Sequence, residues 1–455
     1  MTPLKLAWRN LTDRPLSMLL TLTLFALGVG LTSLLLLVNK QLTDKFEKNL
    51  AGVDVVVGAK GSPLQLILCN MYHVDVPTGN ISLKSARPFL NPRHPLIKKS
   101  VPLSLGDSYK TYRVVGTIPD FVDLYNGKIA EGQLWNVPME TTIGATVADK
   151  TGLKIGDTFS SNHGLTTDGD EHDAAKFKVV GIFQPTGTVL DQLILTASES
   201  TWQVHEHHEE EDISNAKISD AKSNTDHDNH DKDEDKAKKD DHEGHEHATP
   251  QTSNSKLQTV ETDARTRLLM ADSSKQITAL LLQFKARNIQ TLNFQRNLNE
   301  NTDMQAATPA LEINRLFEMM GVGESALKAL AGLIVVVSGL SIFIALFNSL
   351  RERRYELALL RVMGSGRERL FLLIVLEGLL LSFMGFIIGI VLSHGAMEVL
   401  GKYMTDAYRY TFSGKTWLAE EWRLLVAALG IGFLAAIIPA FSAYKTDISK
   451  TLAKG

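Results

Sequence analysis

Eight of the thirteen histidines in this 455-residue chain crowd into one stretch: His205, His207, His208, His227, His230, His242, His245 and His247. The same 43 residues hold sixteen acids and six lysines, a local net of −10, so the rest of the chain is near +6 against an overall −4. Imidazole and carboxylate both suit Zn²⁺, and a dense tract of them takes up metal without one fixed geometry. The alternative is a solvated acidic loop whose histidines are incidental, and eight imidazoles in one stretch weigh against it. Large apolar side chains are almost missing between 202 and 257. That insert cannot bury enough surface to offset its ordering entropy and reads as disordered.

Other groupings are weaker. His163, Asp168, Asp170, Glu171, His172 and Asp173 fall between two predicted strands and read as a plain hairpin loop. Cys69 and His73, with Asp75 after them, have ligand-like spacing, but lone clusters of this kind are mostly structural. One cysteine excludes an intramolecular disulfide framework. Glu377 is an acid inside an apolar run. A packing partner and snorkelling are both open for it, and a proton relay is disfavoured because no second intramembrane ionisable group is visible.

The elements that must position these residues are dominated by four uncharged or nearly uncharged runs. They are Leu16–Val38, Ala329–Leu350, Leu370–Ser393 and Leu424–Tyr444, of 23, 22, 24 and 21 residues. Each matches the hydrocarbon thickness of a bilayer, which excludes a soluble enzyme. The first is longer than a signal-peptide core and lacks a small-x-small site after Leu37, so it reads as a retained anchor. Spans are placed at 16–38, 326–350, 370–393 and 424–444. Basic residues then set the orientation: Lys5, Arg9 and Arg14 before span one, six arginines between 351 and 369, and Lys445, Lys450 and Lys454 in the 445–455 tail. All three segments fall on the cytoplasmic side. Residues 39–325 lie outside the inner membrane, and 394–423 form a short outer loop. Within 1–15, Leu4, Ala7, Trp8 and Leu11 follow a helical rhythm, either an interfacial helix or an ordinary basic flank.

Leu42, Phe46 and Leu50 extend the first helical pattern to about 50 Å, beyond the membrane. Thr308-Pro309 reads as an N-cap with Pro at the first helical position, followed by Leu311, Arg315, Leu316 and Met319, with Gly321 and Gly323 interrupting before span two. Two such helices would form a stalk under a mixed α/β domain. Its predicted strands are Asp54–Val57, Tyr112–Ile118, Phe177–Phe183 and Ile277–Ala286. Gly156-Asp157 reads as a turn between strands. In the cytoplasmic loop, Tyr355–Met363 reads as an amphipathic helix stopped by Gly364. Its apolar Leu357, Leu359, Leu360 and Met363 need a cover, either the membrane surface or a cytoplasmic protein. Ser365 and Glu368 have capping-box spacing before span three. Small residues Gly378, Ser382, Gly385, Gly389 and Ser393 in that span, and Gly432, Ala436 and Ala440 in span four, form stripes that permit close helix approach.

Leu6-Ala7-Trp8-Arg9-Asn10-Leu11 with Arg14-Pro15, the run Arg353–Gly364, Glu377-Gly378 and Pro439-Ala440 together carry a resemblance. The chain resembles permeases of the MacB/FtsX/lipoprotein-release class of ABC transporters over nearly its whole length. Asp447-Ile448 stands where that family usually has Asp-Pro, and the histidine tract is outside its general pattern. The resemblance implies four transmembrane helices per subunit, a second permease copy, and a periplasmic domain between helices one and two. It also implies a separate cytoplasmic ATPase gripping Tyr355, Glu356, Leu359, Leu360 and Arg361, and a periplasmic partner. Stalk motion would pass through Leu42, Phe46, Leu311 and Leu316. No G-x-x-x-x-G-K-[ST] occurs: Gly414-Lys415-Thr416 has Arg409 where the first glycine belongs. ATP would therefore act only through the partner, and zinc only through the histidine tract. Two other readings stay open, a non-transporting regulator of a periplasmic enzyme and a metal-sensing membrane protein. No feature suggests nucleic acid.

Overall fold

The computed structural model describes residues 3–13, 15–164, 171–204, 268–363, 365–408 and 412–445. The whole histidine tract lies outside the described residues, as do Arg14, Gly364 and all but the first residue of the 445–455 tail. The chain divides into two compact units, 1–46 with 315–455, and 47–314.

The helical unit begins with α1 (Pro3–Thr12) and α2 (Pro15–Asn49). After the outer domain come the last four helices, α8 (Pro309–Glu352), α9 (Arg354–Val362), α10 (Arg367–Tyr408) and α11 (Ala419–Tyr444). Four of these, α2, α8, α10 and α11, are long and apolar enough to cross a membrane. Helix α8 runs unbroken through Gly321 and Gly323, contrary to the expected interruption. No atom stands within 4 Å of a Cβ at either position. Glycine there costs about 1 kcal/mol of propensity without breaking the ladder. Thr308 does precede the helix, but its hydroxyl donates to Gln295 (2.7 Å). Helix α10 begins at Arg367, so Ser365 is not its N-cap, and it continues fifteen residues past Ser393 into the expected loop.

Helix packing follows the small residues. A Cβ on Gly378 would stand 2.7 Å from that of Ala436, and one on Gly385 2.6 Å from the Phe25 ring. One on Gly389 would meet the Ala26 carbonyl at 2.8 Å. These close approaches let α10 lie against α11 on one side and α2 on the other.

The outer unit is an α/β domain. Its helices are α3 (Pro63–Met71), α4 (Leu83–Leu90), α5 (Asp120–Leu124), α6 (Ala145–Thr151) and α7 (Ile289–Asn301). Its strands are β1 (Val55–Ala59), β2 (Ile81–Ser82), β3 (Ile97–Tyr109), β4 (Tyr112–Thr117), β5 (Ile129–Gly132), β6 (Glu140–Ile143), β7 (Thr158–His163), β8 (Glu171–Phe183), β9 (Ile194–Ala197), β10 (Gln276–Ile277), β11 (Ala279–Phe284) and β12 (Met304–Ala307). Among the described residues ten strands join in the order β12-β1-β11-β3-β4-β9-β6-β8-β5, with β7 against β3 and β8. The all-apolar β1 is central enough to be paired on both edges, Val55 opposite Leu282 and Val56 opposite Ala307. Burial on both faces suits its run of β-branched residues. One core gathers Val55, Val57, Leu83, Leu280, Leu282 and Leu298. A second gathers Val114, Ile143, Phe159, Phe177, Val179 and Ile194.

Two strand expectations need correction. Gly156 (φ 96°) does turn the chain, but it follows α6, whose C-cap is Gly152 (φ 77°), so the turn joins helix to strand. The segment 277–286 is split between β10, which pairs with β2, and β11 in the main sheet.

Candidate functional site

The cytoplasmic face is built around the short helix α9. Leu357 and Ala358 are buried, packed with Ala7, Leu350, Leu370, Leu373, Ala440 and Ala443. Leu357 is thus covered by the chain itself, not by an outside surface as its sequence position suggested. The opposite face leaves Tyr355, Glu356, Leu359, Val362 and Met363 exposed, with Leu359 at 48%. Arg361 is half-buried, and the side chain of Leu360 lies outside the described residues. One helix therefore has an anchored side and a free side.

Helix α1 braces this region from the N-terminus. Ala7 and Leu11 are buried, while Leu4 and Trp8 are exposed. Asp13 accepts from Arg353, the residue capping α9, at 2.9 Å. Asn10 donates its side-chain amide to Glu377 Oε1 at 2.6 Å. The acid is thus buried, at 5% exposure, and joins α10 to α1.

The expected stalk residues divide. Leu42 and Phe46 on α2 and Leu316 on α8 are half-buried, whereas Leu311 is 62% exposed. Of these, Phe46 lies edge-on to Phe317 of α8, centroids 5.4 Å apart. Such a pair contributes about 0.5–1.5 kcal/mol beyond its area. Phe317 sits one position past Leu316, and sequence rhythm alone did not single it out. Asn39 adds an amide hydrogen bond to Glu324 at 2.6 Å.

No group of three or more metal-ligating side chains occurs among the described residues. His163 ends β7 and Asn162 pairs with Glu171 of β8, while Asp168 and Asp170 lie outside the described residues. At Cys69 and His73 a guanidinium occupies the space a cation would need. Arg113 is buried, its Nη1 3.7 Å from Cys69 Sγ and its Nη2 donating to the Asp75 carbonyl at 2.7 Å. Burial pushes the Cys69 thiol up to about 11, and burial with the Arg113 charge drives His73 down to about 3. Both are held in their neutral forms, which suits a structural core.

Sequence reasoning missed one polar cluster. Ser33 within α2, Ser393 and His394 within α10, and Glu421 in the first turn of α11 meet, with Ser33 Oγ donating to Glu421 Oε1 at 3.2 Å. Leu418 N–H donates to Glu421 Oε2 at 3.3 Å, placing the acid at N3 of α11. The legible signal was that capping position, but the expected span began three residues later.

Known family models match part of each unit. The MacB-like periplasmic core domain model matches residues 18–228, and the FtsX-like permease C-terminal model matches 328–448. The crystal structure of the periplasmic region of MacB from Actinobacillus actinomycetemcomitans is similar at 8% identity and a TM-score of 0.29, over 60% of this chain and 98% of that one. No curated protein matches the chain. Four apolar helices, with an α/β domain inserted after the first, define a multi-pass inner-membrane permease with a periplasmic domain. The chain belongs to the MacB/FtsX-like ABC permeases.

Proposed function

We propose that the chain is the permease subunit that couples ATP hydrolysis by a separate cytoplasmic ATPase to conformational work in the periplasm. The work is extraction, export or control of a periplasmic partner, and a second permease copy completes the membrane unit. The observation that carries this reading is the two-sided helix α9, buried through Leu357 and Ala358 and exposed at Tyr355, Glu356 and Leu359. A partner pressing on the free face would move α10 and α1, because Asp13–Arg353 and Asn10–Glu377 tie them together. Continuous helices α2 and α8 would carry that motion outward, with Phe46 and Phe317 as their contact. Replacing Glu356→Ala and Leu359→Ala together should cut permease-stimulated ATP hydrolysis about tenfold or more, a barrier change of at least ~1.4 kcal/mol. Membrane insertion should stay normal. Full stimulation in that variant would remove α9 from the mechanism.

The tract from His205 to His247 supports a zinc reading alongside it. Each imidazole must be neutral to ligate, so affinity should fall as pH drops through about 6. Calorimetry on the full chain and on a variant lacking the tract should assign the zinc heat to the tract at about pH 7.5. Equal heats from both forms would reduce the tract to a solvated acidic loop and leave the permease reading untouched.

A further inference from the structure

The cluster at the outer ends of the spans has a feature the coupling reading does not use. Glu421 is 2% exposed, and its Oε1 stands 2.9 Å from His394 Nε2. The other ring nitrogen, His394 Nδ1, faces the carbonyl of Gly414. Ser393 donates to Ser33 at 2.9 Å, and Ser33 in turn donates to Glu421. Gly414 is held from its other side, its N–H donating to Glu398 at 3.0 Å. Gln41 of α2 binds the same loop, donating to the Ser413 carbonyl at 2.7 Å and to Thr416 at 2.8 Å.

A carbonyl oxygen only accepts, and a neutral imidazole has a single N–H. If that N–H goes to Gly414, Nε2 presents a lone pair to Glu421. An ionised carboxylate there would set lone pair against lone pair in a buried site, which is costly. Two protonation states satisfy the geometry: an imidazolium beside a carboxylate, or a neutral imidazole accepting from a carboxylic acid. Both hold one proton between the two side chains, and the proton belongs to the pair.

We propose that His394 and Glu421 form a proton-binding site on the periplasmic side, and that its occupancy closes a clasp joining α2 and α10 to the N-terminal turn of α11. Losing the proton leaves the pair unsatisfied, so α11 swings from α10 at this end while Gln41 still holds the loop. Lys415, Thr416 and Trp417 in that loop are exposed, and Trp417 lies against the imidazole with centroids 5.0 Å apart. The proton therefore exchanges with the outer aqueous phase. Ionisable groups on the surrounding elements are Glu398 and Lys402 on α10, Glu420 and Arg423 on α11, Lys415 in the loop, Lys40 and Asp44 on α2, and Glu324 and Lys328 on α8. Lys40 pairs with Asp44 and Lys328 with Glu324, while Glu398 is committed to Gly414. The clasp does not depend on ATPase coupling and survives if that reading fails.

Spin labels at Val399→Cys on α10 and Arg423→Cys on α11, both exposed, read the clasp in the full chain in nanodiscs, with Cys69→Ala as background. Raising the pH from about 5 to about 9 should at least double the width of the distance distribution. Glu421→Gln should stay narrow throughout, because its amide can donate to a neutral Nε2 or turn its oxygen to a protonated one. Ser33→Ala should keep the transition. Should Glu421→Gln not fold, ¹⁵N spectra of the wild-type His394 ring should change over the interval in which the distances broaden. A wild-type distribution unchanged across that range, an identical transition in Glu421→Gln, or ring signals that ignore the broadening would each overturn the proposal.

Discussion

His73 shows how a residue with ligand-like spacing becomes a core residue. It is buried with φ 54°, its ring edge-on to Phe121, and burial with the Arg113 charge lowers it from 6.5 to about 3. The folded state therefore keeps it neutral where the unfolded chain would protonate it. Stability from this group is present above the unfolded value near 6.5 and is lost as pH falls from there toward 3. The slope approaches one proton, about 1.4 kcal/mol per pH unit. Asn tolerates the left-handed backbone and has nothing to titrate. His73→Asn should therefore flatten acid unfolding of the periplasmic domain between about pH 6 and 4, followed by tryptophan fluorescence of the full chain. An unchanged slope would mean His73 carries its charge in the fold. The residue pattern of Cys69, His73 and Asp75 was legible in the sequence. The decisive neighbour, Arg113, is forty residues away on β4 and was not.

At the scale of elements, the four apolar helices were legible because a bilayer demands about twenty uninterrupted apolar residues, and composition records that directly. Their ends were not. Helix α10 continues past Ser393 through Glu398 and Lys402, where charged residues end a hydropathy signal but do not end a helix. The polar cluster of His394 and Glu421 was lost for that reason, since both fell into an expected loop. Gly321 and Gly323 were read as breakers, but an isolated glycine with helical neighbours only weakens a helix. Within the periplasmic domain the strands rich in Val and Ile were legible, although β8 begins at Glu171 and not at the expected Phe177. Short strands such as β5 and β6 carry too few residues for alternation to register. Helix α9 was read within one residue at each end, and only contacts with α1, α10 and α11 could show which of its leucines face inward.

For the whole molecule, the central claim is that ATP-driven closure at α9 reaches the periplasm through α2 and α8. Their contact at Phe46 and Phe317 offers the most direct test. Cysteines at Phe46 and Phe317, in a Cys69→Ala background, can be joined by oxidation in the reconstituted complex with its ATPase. Nucleotide binding should be unaffected, because the change lies far along the helices from α9. Permease-stimulated ATP turnover should fall about tenfold in the oxidised form, equivalent to ~1.4 kcal/mol on the rate-limiting step, and recover fully on reduction. Full turnover in a verified cross-linked complex would contradict mechanical transmission through these two helices.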